Sequence, residues 1–255
     1  MTESKSNAEL LTRFSSDGFV AVPQLIHGEE LAELLEHVDR FIRNIVPHLP
    51  PEHVFYEDTN NPATLKQIQQ MGNHDPWFHE LFFGGRFREI AELLLKGPVL
   101  PKNMQYFNKP PKVSQPTPPH QDGFYFMLDP CEAVTMWFAL EDANEENGCV
   151  RYVRGSHRCG MREHARTQTL GFSQGIVDYP TKQDRESEIA SVARSGDLLV
   201  HDAMTIHRAD SNQSNIRTRR ALGFIYYSER AREDTAAHAA YQLQLAEDMK
   251  AEGKL

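Results

Sequence analysis

The chain has 255 residues, 40% hydrophobic and 25% charged, the balance of a globular protein with room for a sizeable core. Its formal net charge of -9 argues against a general nucleic-acid binder, which would carry an excess of Lys and Arg. Three cysteines with no C-x-x-C pair indicate neither a disulfide framework nor a zinc ribbon, and no stretch approaches the roughly 20 apolar residues of a membrane span.

The opening MTESKSN is polar and lacks the apolar run of a secretory signal, so a cytoplasmic location is expected. DGFVAVPQLI then alternates like a short strand that stops at Pro23. Next, Leu31, Leu34, Leu35, Val38, Phe41, Ile42 and Ile45 recur at helical spacing, which predicts an amphipathic helix with one buried face. A second helical stretch is expected from Asp75-Pro76, a capping residue followed by proline in the first turn, to Gly97, with breaks at Gly84 and Gly85.

From about Val99 the character changes to strand-length runs rich in β-branched and aromatic residues: MQYFNK, FYFML, AVTMWFALEDA, GCVRYVRGSH, DLLVHDAMTIHRA and RRALGFIYYSE. Asn147-Gly148 and Ser195-Gly196 mark turns between them. Gly160 to Ala193 is charged and aperiodic, as expected of a lid, and DTAAHAAYQLQLAEDMKAEGKL reads as a helix capped by Asp234. The expectation is one domain over 1–255, mainly β with flanking α-helices: helices over about 28–97, a jelly-roll core over about 99–230 and a C-terminal helix over about 234–250.

The chemistry concentrates in PPHQDGFYF. In an extended segment His120 and Asp122 point the same way, because strand side chains alternate with a period of two, and can share a metal ion. A third ligand is sought in GDLLVHDAMTIH. His207 completes a set of two imidazoles and one carboxylate, the facial triad of non-heme Fe(II) oxygenases. His201 is its rival, because a regular strand would give both histidines the same parity. In RTRRAL, alternation sends Arg219 and Arg220 to opposite faces, and an inward guanidinium would hold a carboxylate with two hydrogen bonds.

HQDGFYF, WFALEDANEENGCVRYVRGSH, GDLLVHDAMTIHRADSNQS and RRAL, together with the opening DGFVAVPQLIHGEEL, resemble the phytanoyl-CoA dioxygenase family of Fe(II)- and 2-oxoglutarate-dependent oxygenases over most of the chain. The resemblance implies a double-stranded β-helix (jelly roll, cupin-like), iron at His120, Asp122 and His207, and the distal carboxylate of 2-oxoglutarate at Arg219. It also implies a co-substrate pocket with Trp137, with Lys66, Met104 and Gln105 as further candidates. The implied reaction consumes 2-oxoglutarate and O2, releases succinate and CO2, and hydroxylates a small molecule. Asp122 favours that outcome, since halogenating relatives carry a small residue in its place. Two departures stand out: the spacing from His207 to Arg219 is one residue longer than the family pattern, which leaves Arg220 as a substitute, and a common serine is Ala209 here.

Two other classes compete with this reading. One is a metal-dependent hydrolase or isomerase on a cupin-like barrel, for which zinc would accept the same ligands. The other is a non-catalytic jelly-roll binding protein. An arginine aimed at a dicarboxylate separates the oxygenase from the hydrolase, and the intact ligand set separates it from the binding protein. For the substrate, Arg158 and Arg162 lie in the basic span RYVRGSHRCGMREHAR, which points to an anionic group, and Phe124 follows the metal motif as a pocket candidate. The sequence sets neither the substrate's identity nor the oligomeric state.

Overall fold

The structure, a computed structural model, describes residues 3–169 and 172–251. In chain order it opens with α1 (Glu3–Asp17), β1 (Phe19–Val22), α2 (Gly28–Asn44), β2 (Val54–Tyr56), β3 (Leu65–Ile68), α3 (Met71–His74), α4 (Pro76–Phe83) and α5 (Gly85–Leu95). There follow β4 (Val99–Asn108), β5 (Thr117–His120), α6 (Gly123–Phe126), β6 (Leu128–Asp129), β7 (Ala133–Ala139) and β8 (Val150–Val153). The chain continues through β9 (His164–Thr169), β10 (Phe172–Ile176), α7 (Lys182–Ser187), β11 (Glu188–Ser191), β12 (Leu198–Asp202) and β13 (His207–Ala209). It ends with β14 (Arg220–Ser228), β15 (Arg232–Glu233) and α8 (Thr235–Ala251).

The helical expectations hold for local reasons. Asp75 Oδ1 accepts from the backbone N–H groups of Trp77 and Phe78 at 3.0 and 3.3 Å, which starts α4 with Pro76 in its first turn. Leu34, Val38 and Phe41 are the buried stripe of α2. Asp234 Oδ1 caps α8 by accepting from Ala237 N–H.

The strands form a seven-stranded sheet in the order β1-β12-β7-β14-β4-β3-β2, a four-stranded sheet β11-β8-β13-β5, and two two-stranded ribbons. Every ladder is antiparallel. Alternation gives the large sheet two different faces. Val134, Met136, Phe138, Val200, Met104, Tyr106, Leu222 and Phe224 point to a core shared with Leu34, Phe41, Phe78, Phe82 and Phe87 of the helices. Phe87 stacks on Phe224 at 4.1 Å and meets Phe138 edge-on at 5.7 Å. The opposite face carries Trp137, Ala139, Leu199 and Ala221 toward Tyr152 and Val150 of the smaller sheet.

The expected double-stranded β-helix is corrected by these ladders: the fold is mixed α/β, with several separate antiparallel sheets and, among the described residues, none closed into a barrel. Two runs expected as strands are not continuous. DLLVHDAMTIHRA breaks at 203–206, so that β12 joins the large sheet and β13 the small one. FYFML folds its first residues into α6, whose start is set by Phe124 N–H donating to Gln121 O and Tyr125 N–H to Asp122 O. The polar lead forms α1, and the aperiodic region contains β9, β10, α7 and β11. Among the described residues no helix is long and apolar enough to cross a membrane.

Candidate metal centre and co-substrate pocket

Two register rows build the site. Across the small sheet His207 pairs with His120 on one side and Tyr152 on the other. Across the large sheet His201 pairs with Phe19 and with Thr135. Asp122 stands between the rows, two residues beyond His120 and just past the end of β5.

His120, Asp122 and His207 each offer a ligand atom, and these atoms lie within 4.8 Å of one another. His120 Nε2 is 3.4 Å and His207 Nε2 is 3.7 Å from Asp122 Oδ1. Nδ1 of each imidazole lies against a carbonyl two residues earlier, Pro118 O at 2.8 Å and Thr205 O at 3.0 Å. Those carbonyls can only accept, so Nδ1 of each ring carries a proton, and Nε2 is the atom turned toward Asp122 Oδ1. Burial and the neighbouring His120 and His201 hold the His207 imidazole well below its usual pKa. Burial alone would raise the Asp122 carboxyl, but His207, His120 and His201 outweigh it and keep it well below the usual carboxylate range. Two imidazole nitrogens and a carboxylate oxygen converging within 4.8 Å fit a ferrous ion held by two nitrogens and an oxygen.

The break in the late run puts the rival histidines on different sheets. His201, on the other sheet, reaches the far oxygen: its Nε2 lies 3.1 Å from Asp122 Oδ2. Thr135 Oγ1 donates to that oxygen at 2.5 Å. His201 therefore stands beside the three converging candidate atoms rather than among them.

Arg219 is 4% exposed and stacks its guanidinium over Trp137 at 5.2 Å. Among the described residues its hydrogen bonding is confined to Nε, which donates to Gly148 O at 3.1 Å. The carbonyl is presented by the Asn147-Gly148 turn, where Gly148 has φ +83° and a Cβ would lie 2.5 Å from Asp210 O. Asn147 Nδ2 ties the same turn to Asp142 O and Thr218 O. Burial pushes the Arg219 guanidinium down to about 10, still a cation at neutral pH. Arg220 faces the other way, its Nε on Glu141 at 2.6 Å and Nη1 on Asp39 of α2 at 2.8 Å.

Lys66 and Gln105 are both buried, and Lys66 and Arg219 both lie near Lys109. Lys66 Nζ is 3.5 Å from Glu57 Oε1, and Gln105 Oε1 accepts from Gln67 at 3.0 Å. Met104, one residue from Gln105, points to the helical core on the opposite face of β4. Phe124 stacks on His164 at 4.4 Å, and Tyr125 meets His120 edge-on at 5.9 Å. Arg162 is engaged by Asp178 at 2.6 Å and Asp184 at 2.9 Å, while Arg158 lines a shallow cleft with Lys96, Thr12 and Ser15 of the N-terminal face.

Sequence reasoning missed Thr135, Tyr152, Lys109 and Asn212. Thr135 was within reach, because alternation in AVTMWFA puts it on the face of Trp137. Lys109 is buried, donates from Nζ to Gln115 O at 2.6 Å, and is held well below the usual lysine pKa by burial and by Arg219 and Lys66. Asn212 bonds Lys109 O and Arg217 O at 2.8 and 2.6 Å, and so ties the turn before Arg219 to the end of β4.

Comparison with known proteins agrees with this geometry. The family model described as phytanoyl-CoA dioxygenase (PhyH) matches residues 14–221. The chain belongs to the phytanoyl-CoA dioxygenase family. Phytanoyl-CoA dioxygenase 1 of Oryza sativa subsp. japonica is 26% identical over 247 residues, covering 84% of this chain and 86% of that protein. The epimerase SnoN from nogalamycin biosynthesis, solved with Fe3+, alpha ketoglutarate and nogalamycin RO, superposes with a TM-score of 0.71 at 24% identity, over 91% of this chain and 87% of SnoN. EctD from S. alaskensis, solved with 2-oxoglutarate and 5-hydroxyectoine, gives 0.74 at 16% identity, over 92% of this chain and 78% of EctD. The His-Asp-His centre is of the Fe(II)- and 2-oxoglutarate-dependent oxygenase type, and the protein is an enzyme of the 2-oxoglutarate-dependent dioxygenase type.

Proposed function

We propose that the enzyme hydroxylates a small organic molecule, with His120 Nε2, Asp122 Oδ1 and His207 Nε2 holding Fe(II) and Arg219 receiving the distal carboxylate of 2-oxoglutarate. The observation that carries the reading is the convergence of three ligand atoms within 4.8 Å of one another and, near Tyr152 as Asp122 is, a buried guanidinium that has no carboxylate partner among the described residues. A buried cation of this kind is costly until an anion meets it, and a dicarboxylic co-substrate supplies that anion. Iron bound there would supply the oxygen activation that couples decarboxylation of 2-oxoglutarate to oxidation of the substrate. The chain's own contribution is positional: Nδ1–H contacts fix the rings, Trp137 flattens Arg219 into place, and Tyr125 and Phe124 crowd the His120 side against water.

A hydrolase on the same ligands would have no use for Arg219, which argues against the zinc alternative. An anionic group on the substrate is not supported by Arg162, whose guanidinium is consumed by Asp178 and Asp184; Arg158 is the arginine of the pair that would have to receive it. We further read the chain as a single dioxygenase domain working in the cytoplasm, in keeping with three free cysteines. The test is anaerobic titration of the Fe(II)-loaded protein with 2-oxoglutarate, followed by admission of O2 and assay of succinate. A visible charge-transfer band and succinate release are expected. Iron binding without a band would overturn the co-substrate assignment.

A further inference from the structure

The far oxygen of Asp122 is held by a relay that crosses from one sheet to the other. His201 is 3% exposed on β12, and its Nε2 is 3.1 Å from Asp122 Oδ2. Its Nδ1 lies 3.1 Å from the hydroxyl of Tyr152, which is fully buried on β8. Tyr152 is itself fixed: Phe19 of β1 stacks on its ring at 4.5 Å and 19°. A carboxylate oxygen can only accept, so His201 must carry its proton on Nε2 when it bonds Asp122, and its Nδ1 must then accept from Tyr152 O–H. All three orientations follow from one another. With Thr135 donating to the same oxygen, Oδ2 has two donors, and Oδ1 is left turned toward His120 and His207.

We infer that His201 and Tyr152 are positioning residues that lock Asp122 into single-oxygen ligation, and that they set the metal affinity of the centre without touching the metal. The inference rests on the proposed ligand set. Without the relay Asp122 can rotate, present both oxygens or neither, and crowd positions that the co-substrate needs. Hydrogen bonds of this kind behind a ligand are worth about 10- to 100-fold in metal affinity.

The test is anaerobic Co(II) titration of the full chain, read from the ligand-field absorption of the metal, on wild type and four variants, with near-ultraviolet circular dichroism as the check on folding. His201→Ala is expected to weaken Co(II) binding by about 10- to 100-fold and to shift the ligand-field bands. His201→Gln should restore part of the affinity, because its amide N–H can donate to Asp122 Oδ2 from the position of the imidazole Nε2. Tyr152→Phe, which removes one oxygen atom and little else, should cost about two- to tenfold, the worth of one hydrogen bond. Asp122→Ala should abolish binding. A folded His201→Ala protein that binds Co(II) within twofold of wild type with unshifted bands overturns the inference, as does a Gln variant as weak as the Ala one, or a Tyr152→Phe protein unchanged in affinity and spectrum. If Asp122→Ala binds as well as wild type, the proposed ligand set fails, and the inference falls with it.

Discussion

Removing the Arg219 guanidinium gives a prediction whose size can be worked from its surroundings. The group is 4% exposed, stacked on Trp137 at 5.2 Å, and hydrogen-bonded through Nε to Gly148 O, which leaves the two terminal nitrogens for a carboxylate. Breaking a buried charge pair by deleting one partner costs about 3–5 kcal/mol. The lower end of that range, about 3 kcal/mol, corresponds to roughly a hundredfold. In anaerobic titrations Arg219→Ala should therefore half-saturate at about 100 times the wild-type 2-oxoglutarate concentration, with the charge-transfer band at saturation unmoved, because the keto acid end binds elsewhere. Arg219→Lys should recover little, since one ammonium cannot match the planar fork. Arg220→Ala should leave the titration within twofold, as that side chain is bound to Glu141 and Asp39. A wild-type titration for Arg219→Ala, or the loss appearing in Arg220→Ala instead, would refute the assignment.

Asn212→Ala removes the donor to Lys109 O and Arg217 O, so urea denaturation should show a loss of about 2–4 kcal/mol from two deprived carbonyls, together with weaker 2-oxoglutarate binding. Arg162→Ala strips a partner from Asp184, which is 4% exposed, and should cost about 1–3 kcal/mol in stability; equal stability of the two proteins would show that Thr181 alone satisfies that carboxylate. The metal-free protein should also lose stability on acidification. His207 is a base whose folded pKa lies well below its ordinary 6.5, so the unfolded chain takes the proton first and stability, full above that pH, falls below it. Denaturation midpoints that stay level from pH 7 to 5 would refute it.

Local chemistry in the sequence carries over into the structure where one residue decides the outcome. Asp75-Pro76 starts a helix because a carboxylate meets two orphan N–H groups. Asn147-Gly148 turns because Gly148 takes a positive φ where a side chain would strike Asp210 O. The N-terminal helix α1 carries no comparable signal, since its lead is polar and lacks an apolar stripe long enough to announce a buried face. The ladders were not legible either. A jelly roll and a set of open sheets draw on the same alternating runs, and the difference lies in long-range pairing that no single run encodes.

The choice between His201 and His207 shows how much hangs on that pairing. Parity gives them one face only if the six residues from one to the other stay extended, and Ala203, Met204, Thr205 and Ile206 do not: Thr205 N–H turns back to Asp202 O, and the strand changes sheets. After the turn His207 lies beside His120 and presents its Nε2 to the near oxygen of Asp122, while His201 stays beside Thr135 and reaches the far one. The same residue type at the same parity thus becomes a candidate ligand in one sheet and a candidate support in the other. A sequence motif can name the histidines, but the register across two sheets assigns their oxygens.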